Sequence, residues 1–184
     1  MSQTSHLKSA PITNLDATPF IQNTAGVGAV GEYNEISATI TPLAADATGS
    51  TYQMVRVPSN AIVKSVRFAS QAQGAGTFDI SAYYSDSTSD GTAAANQGVV
   101  VPTTGAAFFS DAIVCASAVA LFEALGYGGA SAGWNPSMIN SKLWAALGLT
   151  ADPGGYFDIV AVCTDTAVTT GTGKVCVSVG YVVG

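Results

Sequence analysis

Apolar and polar side chains alternate with a period of two along several short segments of this chain. The alternation is clear in residues 35–41 and 77–84, and the longest such runs are residues 156–164 and 174–183. A period of two is typical of β-strands, so we predict a strand in each of these segments. The last two strands are separated by a Thr- and Gly-rich loop and are predicted to form a hairpin.

Residues 51–70 contain two further strand patterns, separated at residues 58–60 by Pro-Ser-Asn. Proline has no N–H for a ladder and Ser-Asn favours a turn, so we predict a tight corner there. Val63, Val66 and Phe68 do not share one parity, which predicts a bulge or burial on both faces. We expect the other strands to pack against this pair.

Between these segments the pattern is weaker. Residues 99–101 predict a brief strand, and residues 107–109 could continue its sheet. Residues 112–125 fit two structures, a helix capped by Asp111 and closed by Gly126, or a strand that leads into a short helical turn.

One segment has a helical period. Apolar residues recur at three- and four-residue steps in residues 136–148, and Gly148 suits the C-terminal cap. We therefore predict one short helix here, and a later start near Asn140 or Ser141 is an alternative because both are credible caps.

About eight short strands, one helix and many Gly, Thr and Ser turns favour a mainly β protein. We predict an antiparallel β-sandwich of the jelly-roll type over residues 36–184. An immunoglobulin-like sandwich is the alternative, but the Cys and Trp spacing typical of that domain is missing.

Residues 1–35 lack a regular pattern and are predicted to form an extended N-terminal arm. This segment is too short of apolar residues to bury a core of its own. Disorder is one interpretation, but large apolar anchors favour an arm that lies extended and docked on a neighbour. The predicted anchors are Ile12, Leu15, Phe20 and Ile21.

The composition is poor in charge. Hydrophobic residues make up 48% of the chain and charged residues 10%, whereas a typical globular chain has about a quarter charged residues. We interpret the neutral surface as surface that other chains bury, and so predict a homo-oligomer. A compact, Ala-rich monomer is the alternative.

The charge and the length of the apolar runs argue against two classes of partner, nucleic acid and membrane. A net charge of −6 does not suit nucleic acid, which requires clustered Lys and Arg. No run approaches the roughly 20 apolar residues of a membrane helix. The N-terminus lacks the basic and apolar regions of a signal peptide, so we expect synthesis in a cytoplasm.

Candidate catalytic groups are few. The single histidine, His6, lies in the predicted arm, which makes a Ser-His-Asp or Cys-His device improbable. Asp79, Asp158 and Glu123 could supply paired carboxylates, but solvated or salt-bridged carboxylates are the ordinary explanation. We predict no catalytic residue, no cofactor and no enzymatic activity.

Metal sites are also not predicted. Residues 86–91 resemble the first half of a calcium loop, but no Glu stands six residues after Gly91. Cys115, Cys163 and Cys176 form no CxxC pair and are predicted to be small buried thiols.

Three of the six basic residues lie in the central strand pair. We predict that Arg56, Lys64 and Arg67 form charge pairs between strands or between subunits, with Asp79 and Asp158 as nearby acids. Simple surface solubility is the alternative interpretation.

Four segments carry a resemblance to a known group. They are residues 12–19 (ITNLDATP), 52–68 (YQMVRVPSNAIVKSVRF), 142–162 (KLWAALGLTADPGGYFDIVAV) and 174–182 (KVCVSVGYV). The chain resembles small structural proteins of tailed bacteriophages over residues 12–183, with residues 85–136 matching least.

The resemblance implies a virion protein, in the first place a capsid decoration or cement protein on the capsid surface. Such proteins are often β-rich and trimeric, and touch the major capsid protein with an extended arm. Another virion component, such as a tail, head-tail connector or host-binding protein, is the alternative. A carbohydrate-binding jelly-roll module or a hydrolase is a third hypothesis. Sugar binding would require exposed aromatic residues, for which the candidates are Tyr83, Tyr84, Tyr127 and Trp134.

Overall fold

The computed structural model describes residues 33–44, 46–85, 101, 107–128 and 132–183. The strands of this part of the chain are β1 Tyr33–Ile40, β2 Thr51–Pro58, β3 Ala61–Ser70, β4 Thr77–Tyr84, β5 Ser110–Val114, β6 Val119–Glu123, β7 Tyr156–Thr164 and β8 Val175–Val183. A 3-10 helix, Pro136–Met138, and a single-turn α-helix, α1, Leu143–Ala146, lie between β6 and β7.

The strands form two four-stranded antiparallel sheets. Sheet A has the order β1-β8-β3-β6, and sheet B has the order β2-β7-β4-β5. β1 pairs with β8, β2 with β7, β3 with β6 and β4 with β5. This nesting of the first strand with the last is the arrangement of a jelly roll, so the predicted fold class is confirmed.

The core lies between the two sheets. Every second residue of β7 is fully buried and points into it, from Phe157 to Cys163. From sheet A, Val63, Val66 and Phe68 are also fully buried, and the rings of Phe68 and Phe78 have centroids 6.2 Å apart. The period-two alternation of the strands therefore points the apolar side chains of each sheet towards the other sheet.

Sheet B is buried on its other face as well. There Tyr83, Val160 and Val162 form a second apolar cluster. Asp79 and Asp158 point to the same face and are only 6% and 3% exposed. Buried carboxylates of this kind need hydrogen-bond partners, and both have them.

The corner at residues 58–60 is confirmed, and it joins two sheets rather than two neighbouring strands. β2 ends at Pro58, Ser59 and Asn60 form the turn, and β3 starts at Ala61 in the opposite sheet. The expected bulge is also present, since the pairing of β3 with β8 shifts between Val63 and Ser65. The shift returns Val66 and Phe68 to the core face.

Residues 112–125 are neither a helix nor one strand with a helical turn. β5 ends at Val114 in sheet B and β6 begins at Val119 in sheet A. Between them, Cys115 donates its N–H to Gly76 O and accepts from Gln73 N, each at 2.8 Å. These contacts with the β3–β4 connection are tertiary, so the local sequence did not reveal where the chain crosses.

The predicted continuous helix over residues 136–148 is wrong, whereas the alternative start near Asn140 or Ser141 is close to the structure, in which Lys142 is the N-cap and α1 begins at Leu143. Lys64 Nζ donates to Ile139 O at 2.9 Å, the carbonyl that a continuous helix would offer to the Leu143 amide. The Trp144 amide donates instead to Ser59 O at 3.1 Å. Contacts with the β2–β3 region therefore replace the helical hydrogen bonds.

The predicted hairpin of the last two strands is wrong, because β7 lies in sheet B and β8 in sheet A, so the Thr- and Gly-rich loop crosses from one sheet to the other. The bounds of the remaining strands differ from the predictions only in detail. β7 has the predicted bounds, β8 starts one residue later than predicted, and β1 starts at Tyr33 instead of residue 35. Residues 107–109 form no strand, although Phe109 N donates to Ile80 O at 2.8 Å. Of residues 99–101 only Val101 is described, and it is not part of a strand.

Candidate interaction surfaces

Arg56 and Asp158 form an ion pair between neighbouring strands of sheet B. They are register partners on β2 and β7. Arg56 Nε lies 2.6 Å from Asp158 Oδ1, and Nη2 lies 2.9 Å from Oδ2. The guanidinium therefore binds the carboxylate through two parallel hydrogen bonds, and its own side chain remains 42% exposed.

A small pocket adjoins this pair. Its volume is about 200 Å³, and Gln53, Met54 and Val55 complete its wall. The pair stabilises the contact between β2 and β7 within one subunit.

Arg67 lies in a second charged group, on the outer face of sheet A. Its Nη2 forms an ion pair with the carboxylate of Glu35. Ser178 Oγ donates to the same Glu35 oxygen at 2.8 Å. Because these residues lie on β3, β1 and β8, the group ties the edge strand β1 across its neighbour to the third strand.

Lys64 binds neutral oxygens of the segment before α1. Besides Ile139 O, its ammonium group donates to Asn140 Oδ1 at 2.7 Å. The structure thus places Arg56 and Arg67 against acids on other strands and Lys64 against a loop. Asp79, suggested as a nearby acid, accepts hydrogen bonds elsewhere in the sheet.

An open groove of about 650 Å³ begins beside Lys64. Its wall is largely apolar, with the Glu123 carboxylate and the Lys64 ammonium as charged groups. Glu123 is engaged with the protein, since Ser65 Oγ and Val66 N each donate to it at 2.8 Å. The other lining side chains that define the groove are Leu125, Trp134, Pro136 and Ile139.

Asp79 is a structural acceptor in sheet B. Its Oδ1 accepts from Ala112 N at 2.8 Å and from Thr164 Oγ1 at 3.0 Å. Burial raises the pKa of this carboxyl above its ordinary value. Burial also raises the pKa of the Tyr83 hydroxyl, and the nearby Asp79 charge adds to that effect.

The register separates the two candidate carboxylates of sheet B. Asp79 lies opposite Val162, whereas Asp158 lies opposite Tyr83. They are therefore four residues apart along the strands, or about 13 Å at about 3.3 Å per residue. Carboxylate pairs in glycosidases are about 5–9.5 Å apart, so this pair does not fit that geometry.

Two of the three cysteines are buried. Cys115 and Cys163 are fully buried and Cys176 is partly exposed, and all three are free thiols. Desolvation raises the pKa of Cys115 to about 11 and also raises the pKa of Cys163. Such thiols are poor nucleophiles and poor metal ligands near neutral pH.

Three of the four aromatic residues suggested for sugar binding are buried. Tyr83 and Tyr84 are 8% exposed and Trp134 is 6% exposed. Tyr127 is 47% exposed, with its ring edge-on to Phe122 at 5.2 Å. Of the four suggested residues, only Tyr127 presents an exposed ring on which a sugar could stack.

Large apolar side chains are exposed at several places on the body. They belong to both sheets and to the loops, so they do not come from a single uncovered edge of the hydrophobic core. They are Tyr33, Leu43, Val114, Leu121, Tyr127, Ile139 and Tyr156.

Several sequence predictions fall outside the described residues. The arm anchors Ile12, Leu15, Phe20 and Ile21 do so, as does the calcium-like segment at residues 86–91. Within the described residues, no cluster of three or more His, Cys, Asp or Glu could hold a metal ion. No helix found in those residues has the length and apolar character needed to cross a membrane.

Sequence reasoning missed the partners of the basic residues in sheet A. The partner of Arg67 is Glu35 on β1, and only the sheet order, with β8 between β1 and β3, brings the two side chains within reach. The alternation of β1 does place Glu35 on its polar face, which was the available signal. Asn140 had no signal, because its contact with Lys64 depends on the path of a loop.

No protein-family model matches this chain, and no curated protein matches it. A chain in the solved structure described as the cyanophage Pam1 capsid asymmetric unit is similar, with a TM-score of 0.41 and 15% sequence identity. The similarity covers 92% of this chain and 97% of that chain. A similarity at this level does not identify a family.

Proposed function

We propose that this chain is a structural protein of a bacteriophage virion, and that it decorates the head shell as a cement protein. In this role it stabilises the shell by burying area across neighbouring subunits. Its partner is the major capsid protein, its location is the capsid surface, and it acts as a homo-oligomer, with a trimer implied by the resemblance. It catalyses no reaction.

The observation that carries this proposal is the surface of the jelly roll. Leu43 is 68% exposed, Val114 62% and Leu121 56%, in a chain with only 10% charged residues. A surface with little charge and exposed large apolar side chains suits contacts with other subunits, because charged residues are depleted at the core of interfaces. A standard interface buries about 1,600 Å², and repetition around a shell multiplies its effect.

The resemblance to tailed-phage structural proteins supports the same role. It rests on segments in β2, β3, α1, β7 and β8, which together make the framework of the body. Another virion component, in the tail, the connector or the host-binding apparatus, is the second candidate. The sugar-binding module loses support, because Tyr83, Tyr84 and Trp134 are buried.

Electron cryomicroscopy of the virion tests the location. Density for the jelly roll on the outer surface of the head is the expected result. Density on the tail or at the connector would refute the decoration role and favour the second candidate.

A binding experiment tests the predicted arm. Empty capsids that lack this protein are mixed with the full chain or with a variant in which Ile12, Leu15, Phe20 and Ile21 are replaced by Ser. We expect the variant to keep the thermal unfolding of the full chain but to bind capsids at least tenfold more weakly, about 1.4 kcal/mol. A control variant replaces four polar residues of the arm instead and should bind normally. Equal binding by both variants would contradict the predicted docking.

A further inference from the structure

The groove beside Lys64 combines a largely apolar wall with a cation. Its volume of about 650 Å³ lies within the range of about 300–1,000 Å³ that binding sites for compact ligands occupy. Leu125, Trp134 and Ile139 contribute apolar surface to the wall, and the Ile139 side chain is 37% exposed, so solvent reaches the groove. A suitable occupant therefore brings apolar side chains with it.

The Lys64 ammonium sets the charge that the occupant should carry. It donates to two neutral oxygens, Ile139 O at 2.9 Å and Asn140 Oδ1 at 2.7 Å. An ammonium has three N–H donors, and no carboxylate of the described residues forms an ion pair with this one. Glu123, the acid in the same wall, accepts from Val66 N at 2.8 Å. The groove therefore suits an occupant with a carboxylate next to its apolar side chains.

Residues 12–21 of this chain have that combination. They contain the four apolar anchors of the predicted arm, and Asp16 follows the second anchor directly. Asp16 is also the only acid in residues 1–31. The segment therefore matches both the apolar wall of the groove and the positive charge at its Lys64 side.

The length and the attachment point of this segment allow it to reach another copy of the chain. It continues into β1 at Tyr33, which lies opposite Val182, and Val182 lies opposite Ile62 of β3. Lys64 is two residues further along β3, so the segment is attached at the end of sheet A that carries the groove. Leu15 precedes Tyr33 by 18 residues, a span of up to about 60 Å, whereas a four-stranded sheet is about 15 Å wide.

We infer that residues 12–21 of one copy bind in the groove of a second copy. The Asp16 carboxylate lies beside the Lys64 ammonium, and Leu15 packs against Ile139. The other anchors continue along the wall formed by Leu125 and Trp134. Reciprocal exchange of the segment between copies makes a closed oligomer.

This contact does not depend on the role proposed above. It requires only copies of this chain, and capsid binding does not enter its test. Failure of the contact would leave the head-shell role untouched, and a protein that is absent from the head could still make the contact.

Disulfide trapping between two variants tests the contact directly. Leu15→Cys and Ile139→Cys, each full-length in a Cys176→Ser background and with tags of different size, are coexpressed and oxidised mildly. We expect most of the covalent product to join the two different variants. The control pairs Leu15→Cys with Leu121→Cys, whose side chain is 56% exposed in the wild type and lies outside the groove, and it should give little product.

Two outcomes of this experiment would overturn the inference. The first is an equal yield for the two pairs, or no product with Ile139→Cys. The second concerns a double variant that carries both Leu15→Cys and Ile139→Cys, coexpressed with an excess of wild type. If it still crosslinks fully within one chain, the segment occupies the groove of its own copy.

Charge exchange tests the position of Asp16 independently. Asp16→Lys should raise the dissociation constant of the oligomer at least about fivefold, because it replaces attraction by repulsion at Lys64. The control, Gln3→Lys, adds a cation outside residues 12–21 and should leave the constant unchanged. Combination of Asp16→Lys with Lys64→Glu should restore association, and circular dichroism identifies a variant that fails to fold.

Analytical ultracentrifugation measures these dissociation constants. A wild-type monomer at micromolar concentration would refute the contact and indicate that a different protein occupies the groove. Equal constants for Asp16→Lys and Gln3→Lys would refute the placement of Asp16 beside Lys64.

Discussion

The ion pair between Arg56 and Asp158 offers the sharpest test of how sheet B is stabilised. Asp158 is 3% exposed and receives two hydrogen bonds from the Arg56 guanidinium, at 2.6 and 2.9 Å. Replacement of Arg56 by Met keeps much of the apolar stem but removes both bonds and leaves a buried carboxylate without its cation. We expect this change to lower the free energy of unfolding substantially.

The magnitude of this loss of stability follows from the burial of the Asp158 carboxylate. Hydrogen bonds to charged groups contribute about 1.5–3 kcal/mol, and removal of one partner of a fully buried pair costs about 3–5 kcal/mol. Because the Arg56 side chain is 42% exposed, solvent screens part of the attraction. We therefore expect a loss of about 2 kcal/mol, and a smaller loss for Arg56→Lys, which keeps the charge but not the paired bonds.

Urea unfolding, followed by the fluorescence of Trp134 and Trp144, provides the measurement. Arg67→Met is the matched control, because Arg67 and Glu35 are 33% and 41% exposed at their side chains and the pair should contribute less than about 1 kcal/mol. A double-mutant cycle with Asp158→Asn isolates the interaction. If Arg56→Met costs no more than Arg67→Met, or if the coupling energy is near zero, burial does not set the strength of the pair.

Three further predictions concern backbone strain, pH and thiol access. Gly128→Ala should lower stability by about 2 kcal/mol or more, because φ is 98° and the new Cβ would lie 2.6 Å from Asp111 Cβ; Gly49→Ala, at φ 90° with nothing within 4 Å, should cost less in the same urea titration. Asp79→Asn keeps an acceptor oxygen but no charge. Burial raises the folded-state pKa of Asp79 above its ordinary value of 3.8. The free energy of unfolding of the wild type should therefore fall relative to that of the variant as pH rises from about 3.8 through the raised pKa. Parallel profiles of stability against pH for the two proteins would contradict this. Cys176 alone should react rapidly with a thiol reagent in the folded protein, and the other two thiols only after unfolding; rapid reaction of all three would show that the core opens.

The strands of the body could be predicted where the sequence alternates with a period of two, whether one face is half-buried, as in β1, or both faces are buried, as in β7. The positions of β1, β7 and β8 were predicted to within two residues. β3 was the instructive case, since its mixed parity predicted a bulge and the pairing with β8 contains one. In these segments the local pattern and the tertiary burial agree, so the pattern is sufficient.

The segments predicted wrongly are those in which tertiary contacts replace local hydrogen bonds. Residues 136–148 have helical spacing, but Lys64 and the Ser59 carbonyl bind the groups that a helix would use. Residues 112–125 have both strand and helix signals because the chain crosses from one sheet to the other there. Periodicity within a segment cannot reveal a crossing between sheets, because the crossing depends on where distant strands lie.

The sequence by itself determined that this is a mainly β sandwich poor in charge, because period-two burial and composition are properties of the chain order alone. Only the tertiary structure decided which charges meet, Arg56 with Asp158 and Arg67 with Glu35, and which strands share a sheet. The physical reason is that side-chain partners and sheet edges are set by pairing between strands that lie far apart in the chain, such as β1 and β8, in which Glu35 and Ser178 are 143 residues apart. Such pairing minimises the free energy of the whole molecule, and no pattern within a single segment predicts it.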